Sequence, residues 1–353
     1  MTDTSVLKKE YQHAIGRKRI FIIICTILTI LAFGLTLTIG FFEISMWDTF
    51  VVIFDHLTNN IVNEQADYII WETRLPEAIM AVTVGASLAA GGAVMQTMLR
   101  NPLADPYTMG ISSGAALGAS IAIIFGFSLL PGLVGGASIV VNAFIFALIP
   151  ILIILAISRN RSVTPTRMIL AGIAVMFVFS AFTSLLMVTA SAESLAEVYA
   201  WRVGTLSRSG WDALPIVVPI TLLGIAFLMS QYKKYNVMTT GQNSATSLGV
   251  NTKNVMLIGM VVIAIMTASV VSFTGTIGFI GLVGPHIARI FVGSESKYLI
   301  PASAMFGALF LLCADSIAKV AGSLGLPVGV ICALVGCPLF VIILIKMKSK
   351  AWG

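Results

Sequence analysis

Two side chains stand close to membrane depth in this chain and can bind an ion or pass a proton: Asp315 and His286. Proton relays and ion-coupled carriers keep ionisable groups at such depths. A lone pair of unlike residues far apart in sequence is a thin basis for a relay. Asp315 has Lys319 one helical turn away, and an i, i+4 pair on one helix face accounts for it. His286 follows Pro285 and precedes Arg289 by three residues, so it reads as a cation near a helix C-terminus, where the helix dipole favours positive charge. Sites for other chemistry are missing from the sequence. It contains no G-x-x-x-x-G-K-[ST], no H-E-x-x-H, no G-x-S-x-G and no paired intramembrane carboxylates. The chain therefore has no Walker-type ATPase site, no nucleophile–base constellation and no metal-ligand spacing of its own. Cys25, Cys313, Cys332 and Cys337 all lie in apolar stretches and read as small packing residues.

The elements that carry these few groups are apolar. Of 353 residues, 58% are hydrophobic and 10% charged, against about 25% charged in soluble domains. This composition predicts an all-α polytopic membrane protein. The net charge of +6 comes from basic residues scattered in short flanking loops, a pattern of membrane topology and not of nucleic-acid binding. A crossing needs about 20 apolar residues. The predicted spans are 20–42, 76–99, 107–129, 135–157, 168–191, 212–232, 254–273, 276–291, 298–318 and 326–346, all within one transmembrane domain over 20–346. The first is too long for a signal peptide and reads as a retained span. Residues 1–19 read as a cytoplasmic segment. With the N-terminus inside, ten crossings place seventeen basic residues in the cytoplasm, including Arg100, Arg161, Lys233, Lys253, Lys348 and Lys350. Four remain outside: Arg74, Arg202, Arg208 and Lys319. That asymmetry predicts both termini in the cytoplasm.

Small residues predict how the spans pack. Gly85 and Gly92 lie on one helix, and Gly110, Gly114 and Gly118 recur every fourth residue on the next, so backbones can approach closely. The polar, twice proline-broken link 101–106 suggests two tightly packed arms of a hairpin. Gly275, Gly278 and Gly281 interrupt F273-T-G-T-I-G-F-I-G281 and predict a broken, protein-buried segment. In the cytoplasmic loop 233–253 a short helix from about Gln242 to Leu248, capped by Gly249, is either a docking element or a solvated connection. The external segment 43–71 and W201-R-V-G-T-L are aromatic-rich, and Trp at such positions reads more readily as an interface anchor than as a ligand contact.

Several strings together resemble the FecCD family, the permeases of ABC importers for ferric siderophores, haem and vitamin B12. They are R74-L-P-E, V84-G-A-S-L-A-A-G-G-A-V-M-Q96, R100-N-P-L-A-D-P106, G110-I-S-S-G-A115, W201-R-V-G-T-L, A245-T-S-L-G-V250, G275-T-I-G-F-I-G-L-V-G-P-H-I-A-R289, L326-P-V-G-V and G336-C-P-L-F340. They run in order over about 20–346. The resemblance implies a permease dimer, paired with itself or a paralogue in the plasma membrane. Two cytoplasmic ATPase subunits holding ATP and Mg would bind the loop at Gly241, Ala245, Leu248, Gly249 and Val250. An external binding protein would dock at Arg74 and Lys319. It implies no cofactor or metal on this chain and a ferric siderophore as cargo, with haem and cobalamin as alternatives. The family's R-L-P-R reads R-L-P-E here, so Glu77 replaces a docking arginine and could seek a basic partner. Gly325 stands where an acid usually precedes the last L-P. A carrier coupled to an ion gradient through a broken-helix site is the reading from a different class.

Overall fold

A computed structural model describes residues 4–40, 42–159, 164–321 and 325–346. Arg161, Lys348 and Lys350 of the charge count lie outside them, as does Phe41 of the first predicted span. The described residues are helical throughout their regular structure. The helices are α1 (Thr4–Thr38), α2 (Met46–Leu57), α3 (Glu64–Asp67), a π-helical turn (Tyr68–Arg74), α4 (Leu75–Leu99), α5 (Ile111–Phe125), α6 (Gly136–Arg159), α7 (Pro165–Val188), α8 (Ala192–Val203), α9 (Leu214–Ser230), α10 (Tyr232–Met238), α11 (Gln242–Ser247), α12 (Thr252–Thr274), α13 (Ile280–Val292), α14 (Ser296–Val320) and α15 (Val328–Lys346). Backbone groups in lipid must bond within their own segment, so apolar stretches of this length become helices. Among the described residues six helices are long and apolar enough to cross a bilayer. The bent pair α9–α10, with 58° between its parts, makes seven. Three shorter apolar helices, α5, α13 and the 328–343 part of α15, occupy the other three predicted crossings. The first helix starts at Thr4, so the segment expected before the span continues it without a break.

The continuous helix Glu64–Leu99 is the axis of the bundle: 83% of its most apolar window is buried, against 17% for α7 and 22% for α1. It packs chiefly on α14 and α13, while α5 packs on α6 and α7. The two arms of the 101–106 hairpin thus turn away from each other, and the expectation of mutual packing is corrected. Side-chain volume explains it. A Cβ on Gly85 would strike the carbonyl of Gly307 on α14, and one on Gly92 would strike that of Gly281 on α13. On α5, Gly114 faces the carbonyl of Phe146 and Gly118 that of Asn142, both on α6. Each glycine is matched to backbone on another helix, the next one in the chain for α5 and ones far along it for α4, and spacing alone does not identify which.

The link is built to turn. Arg100 closes α4 in a left-handed conformation (φ 48°), and Gly110 enters α5 at φ 85°, a conformation open to glycine. Asp105 is buried between them. Its carboxylate accepts from the Thr108 amide at 2.8 Å. Burial pushes its pKa up to about 6, against the opposing hydrogen bonds from Thr108 and Tyr107.

The predicted break lies between α12 and α13. Residues 275–279 are non-helical and bonded to protein, as such backbone at membrane depth must be. The Thr205 amide donates to Thr274 O at 2.8 Å, the Thr276 hydroxyl to Arg202 O at 2.6 Å, and the Ile277 amide to the Tyr107 hydroxyl at 3.2 Å. Gly275 (φ 72°) sits against the carbonyl of Trp201. Trp201 is buried there, so the interface-anchor reading of this tryptophan is corrected. Gly278 has nothing within 4 Å of a would-be Cβ and borders a cavity of about 260 Å³, so it does not pack helices as expected. His286 lies mid-helix in α13, its Nδ1 2.8 Å from Leu282 O and its ring edge-on to Phe340. It is not at the C-terminal end, which corrects its capping role. Arg289 occupies the last turn instead. Cys25 and Cys332 are buried, whereas Cys313 and Cys337 face outward.

Candidate functional site

The two ends of the bundle carry the candidate sites. One end gathers the start of α1, the α10–α12 connection and the α13–α14 turn. Lys18 pairs with Glu295 at 2.9 Å, and the Ser296 amide donates to Asn236 Oδ1 at 2.7 Å. The Arg100 guanidinium lies beside Gly241. Here Gly241 (φ 109°) lets the chain reverse into α11. The Val250 amide donates to Ala245 O at 3.0 Å and the Gly249 amide to Thr246 O at 2.9 Å. Those two bonds form a Schellman cap, with Gly249 (φ 82°) supplying the left-handed residue. Asn251 then starts α12 by accepting from the Asn254 amide at 3.0 Å. The outcome is a short helix pinned on one side and bare on the other. Ala245 is fully buried, while Leu248, at the cap, is 67% exposed. A rigidly held leucine in the open suits contact with another protein's apolar pocket.

The opposite end holds the second group. Lys319 of α14 pairs with Asp315 at 2.7 Å and with Glu77 of α4 at 3.1 Å. The Thr36 hydroxyl of α1 donates to Asp315 at 3.3 Å. Three helices are thus joined by one lysine, two carboxylates and a hydroxyl. The Arg74 side chain donates to Leu37 O at 2.9 Å and Phe42 O at 2.7 Å, and is only 4% exposed. It is aimed there by the π-helical turn 68–74, which changes the helical register just ahead of α4. No sequence rule announced that turn. Neither Arg74 nor Lys319 is an open surface cation in this chain. Both border a cavity of about 720 Å³, together with Gly40, Glu77, Arg208 and Gly325. The sequence had signalled two of these bonds: the i, i+4 pair and a basic partner for Glu77. Among the described residues no group of three or more His, Cys, Asp or Glu could hold a metal ion.

The sequence pattern of the FecCD transport family matches residues 27–346. A Methanocaldococcus jannaschii protein named "Putative ABC transporter permease protein" is 40% identical over 339 residues, covering 90% of this chain and 95% of its own. The cobalamin import system permease protein of Halobacterium salinarum is 40% identical over 291 residues, covering 82% of this chain and 77% of its own. A solved structure described as "An inward-facing conformation of a putative metal-chelate type ABC transporter" superposes with a TM-score of 0.81 at 27% identity. It covers 92% of this chain and 99% of that one.

Proposed function

Because this chain belongs to the FecCD transport family, and is thus the membrane permease of an ABC importer and not itself the ATPase, we propose that it carries a ferric siderophore into the cytoplasm. Two copies of this chain, or this chain and a paralogue, would enclose the path in the plasma membrane. ATP and Mg would be held on two separate ATPase subunits at the α11 end, which faces the cytoplasm with both termini. An external binding protein would deliver cargo at the Arg74–Lys319 end.

The observation that carries this reading is α11. Its Schellman cap, buried Ala245 and exposed Leu248 make a stiff element that can receive a push and pass it to α12 without unwinding. ATP binding on the partner would then shift the helices at this end and alternate access to the path. The docking role of Arg74 and Lys319 is carried by the cavity they border, since their charges are bound within the chain. Likeness to a metal-chelate type transporter supports an iron chelate as cargo. The 40% identity to a cobalamin permease favours cobalamin as the second reading.

The test is uptake into proteoliposomes containing this chain, its ATPase and its binding protein. Iron-55 on a siderophore mixture and cobalt-57 cobalamin are offered separately, with native chain and with Leu248→Asp. ATP-dependent iron uptake that the substitution abolishes supports the proposal. Cobalamin uptake alone replaces the cargo. Uptake that follows an ion gradient and ignores ATP overturns the reading.

A further inference from the structure

Helix α2 presents three faces with three different characters. At 100° per residue, Met46, Trp47, Phe50, Val51, Phe54 and Leu57 fall within one arc of about 140°. All six are exposed, Trp47 at 77% and Phe54 at 65%. A second face lies against protein. Thr49 is buried, and His56 Nδ1 is 2.8 Å from Asp67 Oδ1, with its ring stacked on Trp71 at 3.9 Å. The third face carries Asp48 and Asp55. Ser45 caps the helix by accepting from the Asp48 amide at 3.1 Å, so the helix start is fixed.

Its position along the bundle follows from its contacts. The tip of the Phe50 ring is 3.9 Å from where a Cβ of Gly34 would stand. Gly34 is four residues inside the end of α1, about 6 Å below that end, and within the apolar Ile15–Thr38 span. His56 instead meets Trp71 and Asp67, in the turn and helix preceding Arg74. The helix therefore slopes, with its first half beside the apolar depth of α1 and its second half above it. Its bare face continues the outward apolar surface of α1, where Ile27, Leu31 and Leu35 are exposed.

We propose that α2 is an interfacial helix whose Met46–Phe54 apolar face is seated in the bilayer edge, with Asp48 turned to water and Thr49 and His56 to protein. Protein, lipid and water each receive the face suited to them, the arrangement of a membrane-surface amphipathic helix. Trp47 supplies the amphipathic ring favoured at that depth. The occupant is lipid because Phe50 of this face stands against Gly34 of the apolar Ile15–Thr38 span, whose own Ile27, Leu31 and Leu35 are exposed.

The experiment places the photocrosslinker benzoylphenylalanine at position 47, 54 or 48 of the full chain, in vesicles of tritiated phosphatidylethanolamine and phosphatidylglycerol. All three positions are exposed, so the substitutions leave the core untouched. After irradiation, chains carrying it at 47 and at 54 are expected to hold at least about fivefold more lipid label than at 48. Equal label at the three positions overturns the proposal. So does a crosslink at 47 or 54 that runs as a covalent dimer, which would make this face a contact between copies.

Discussion

At the α11 end the chain holds its backbone fixed and offers a leucine. At the other end it draws Arg74 and Lys319 inward and ties α1, α4 and α14 together with them. The contrast separates two duties that a charge or an apolar residue at a loop can have. Leu248 touches little in its own chain, so its removal should alter what the chain does with partners and leave the fold intact. Lys319 touches much, so its removal should alter the fold first.

The strongest break is Lys319→Met. It leaves Glu77 and Asp315 buried without their cation, and loss of one partner from such a cluster costs about 3–5 kcal/mol. Thermal unfolding in detergent is expected to shift down by several degrees. The triple replacement Glu77→Gln, Asp315→Asn, Lys319→Met removes the stranded charges and should recover most of that loss. If the single variant unfolds like the native chain, the ion cluster is not what joins these helices. Next, Leu248→Asp should lower ATP-driven uptake by about tenfold or more, a cost of about 1.4 kcal/mol in coupling, with no change in melting. A lowered melting temperature would place Leu248 in the fold and not at a contact. Gly249→Ala forces a Cβ into a left-handed cap and should cost about 1 kcal/mol locally, read as faster amide exchange at Val250. Unchanged exchange would show that the cap does not depend on glycine.

The smallest effect concerns Asp105, between the two ends. An acid whose folded pKa is raised, here to about 6 against 3.8, destabilises the fold progressively as pH climbs from the unfolded value through the folded one, because the unfolded chain gives up its proton first. Asp105→Asn keeps an oxygen for the Thr108 amide and removes the charge. Its stability gain over the native chain is expected to be near zero at pH 4 and to grow between pH 4 and pH 7. A gain independent of pH would mean that the fold leaves the Asp105 pKa at its unfolded value.

Much of this was legible in the residues. Apolar length gave the helices, F273-T-G-T-I-G-F-I-G281 gave the break, and the Leu248–Gly249 pair gave a helix end that closes as a Schellman cap. Each of these is local, set by a few neighbouring side chains. What stayed hidden is not local. Gly85 and Gly92 announce a close approach without saying that Gly307 and Gly281 are what approaches. Arg74 looks like an external cation until the π-helical turn rotates it onto Leu37 and Phe42 carbonyls. Residues 43–71 showed acids and aromatics, but the three faces of α2 emerge only once the bundle beside it is in place.

One consequence of the glycine contacts is mechanical. Where Gly85 meets Gly307 and Gly92 meets Gly281, no layer of side chains lies between the helices to compress or re-mesh. Sliding by a fraction of a turn would drive Cβ atoms of neighbouring residues into opposing carbonyls, so α4, α13 and α14 travel as one stiff keel. Any stroke of the transport cycle must then be absorbed elsewhere. The bent α9–α10 junction, joined to Leu248 through the short helices α10 and α11, is placed to act as its elbow.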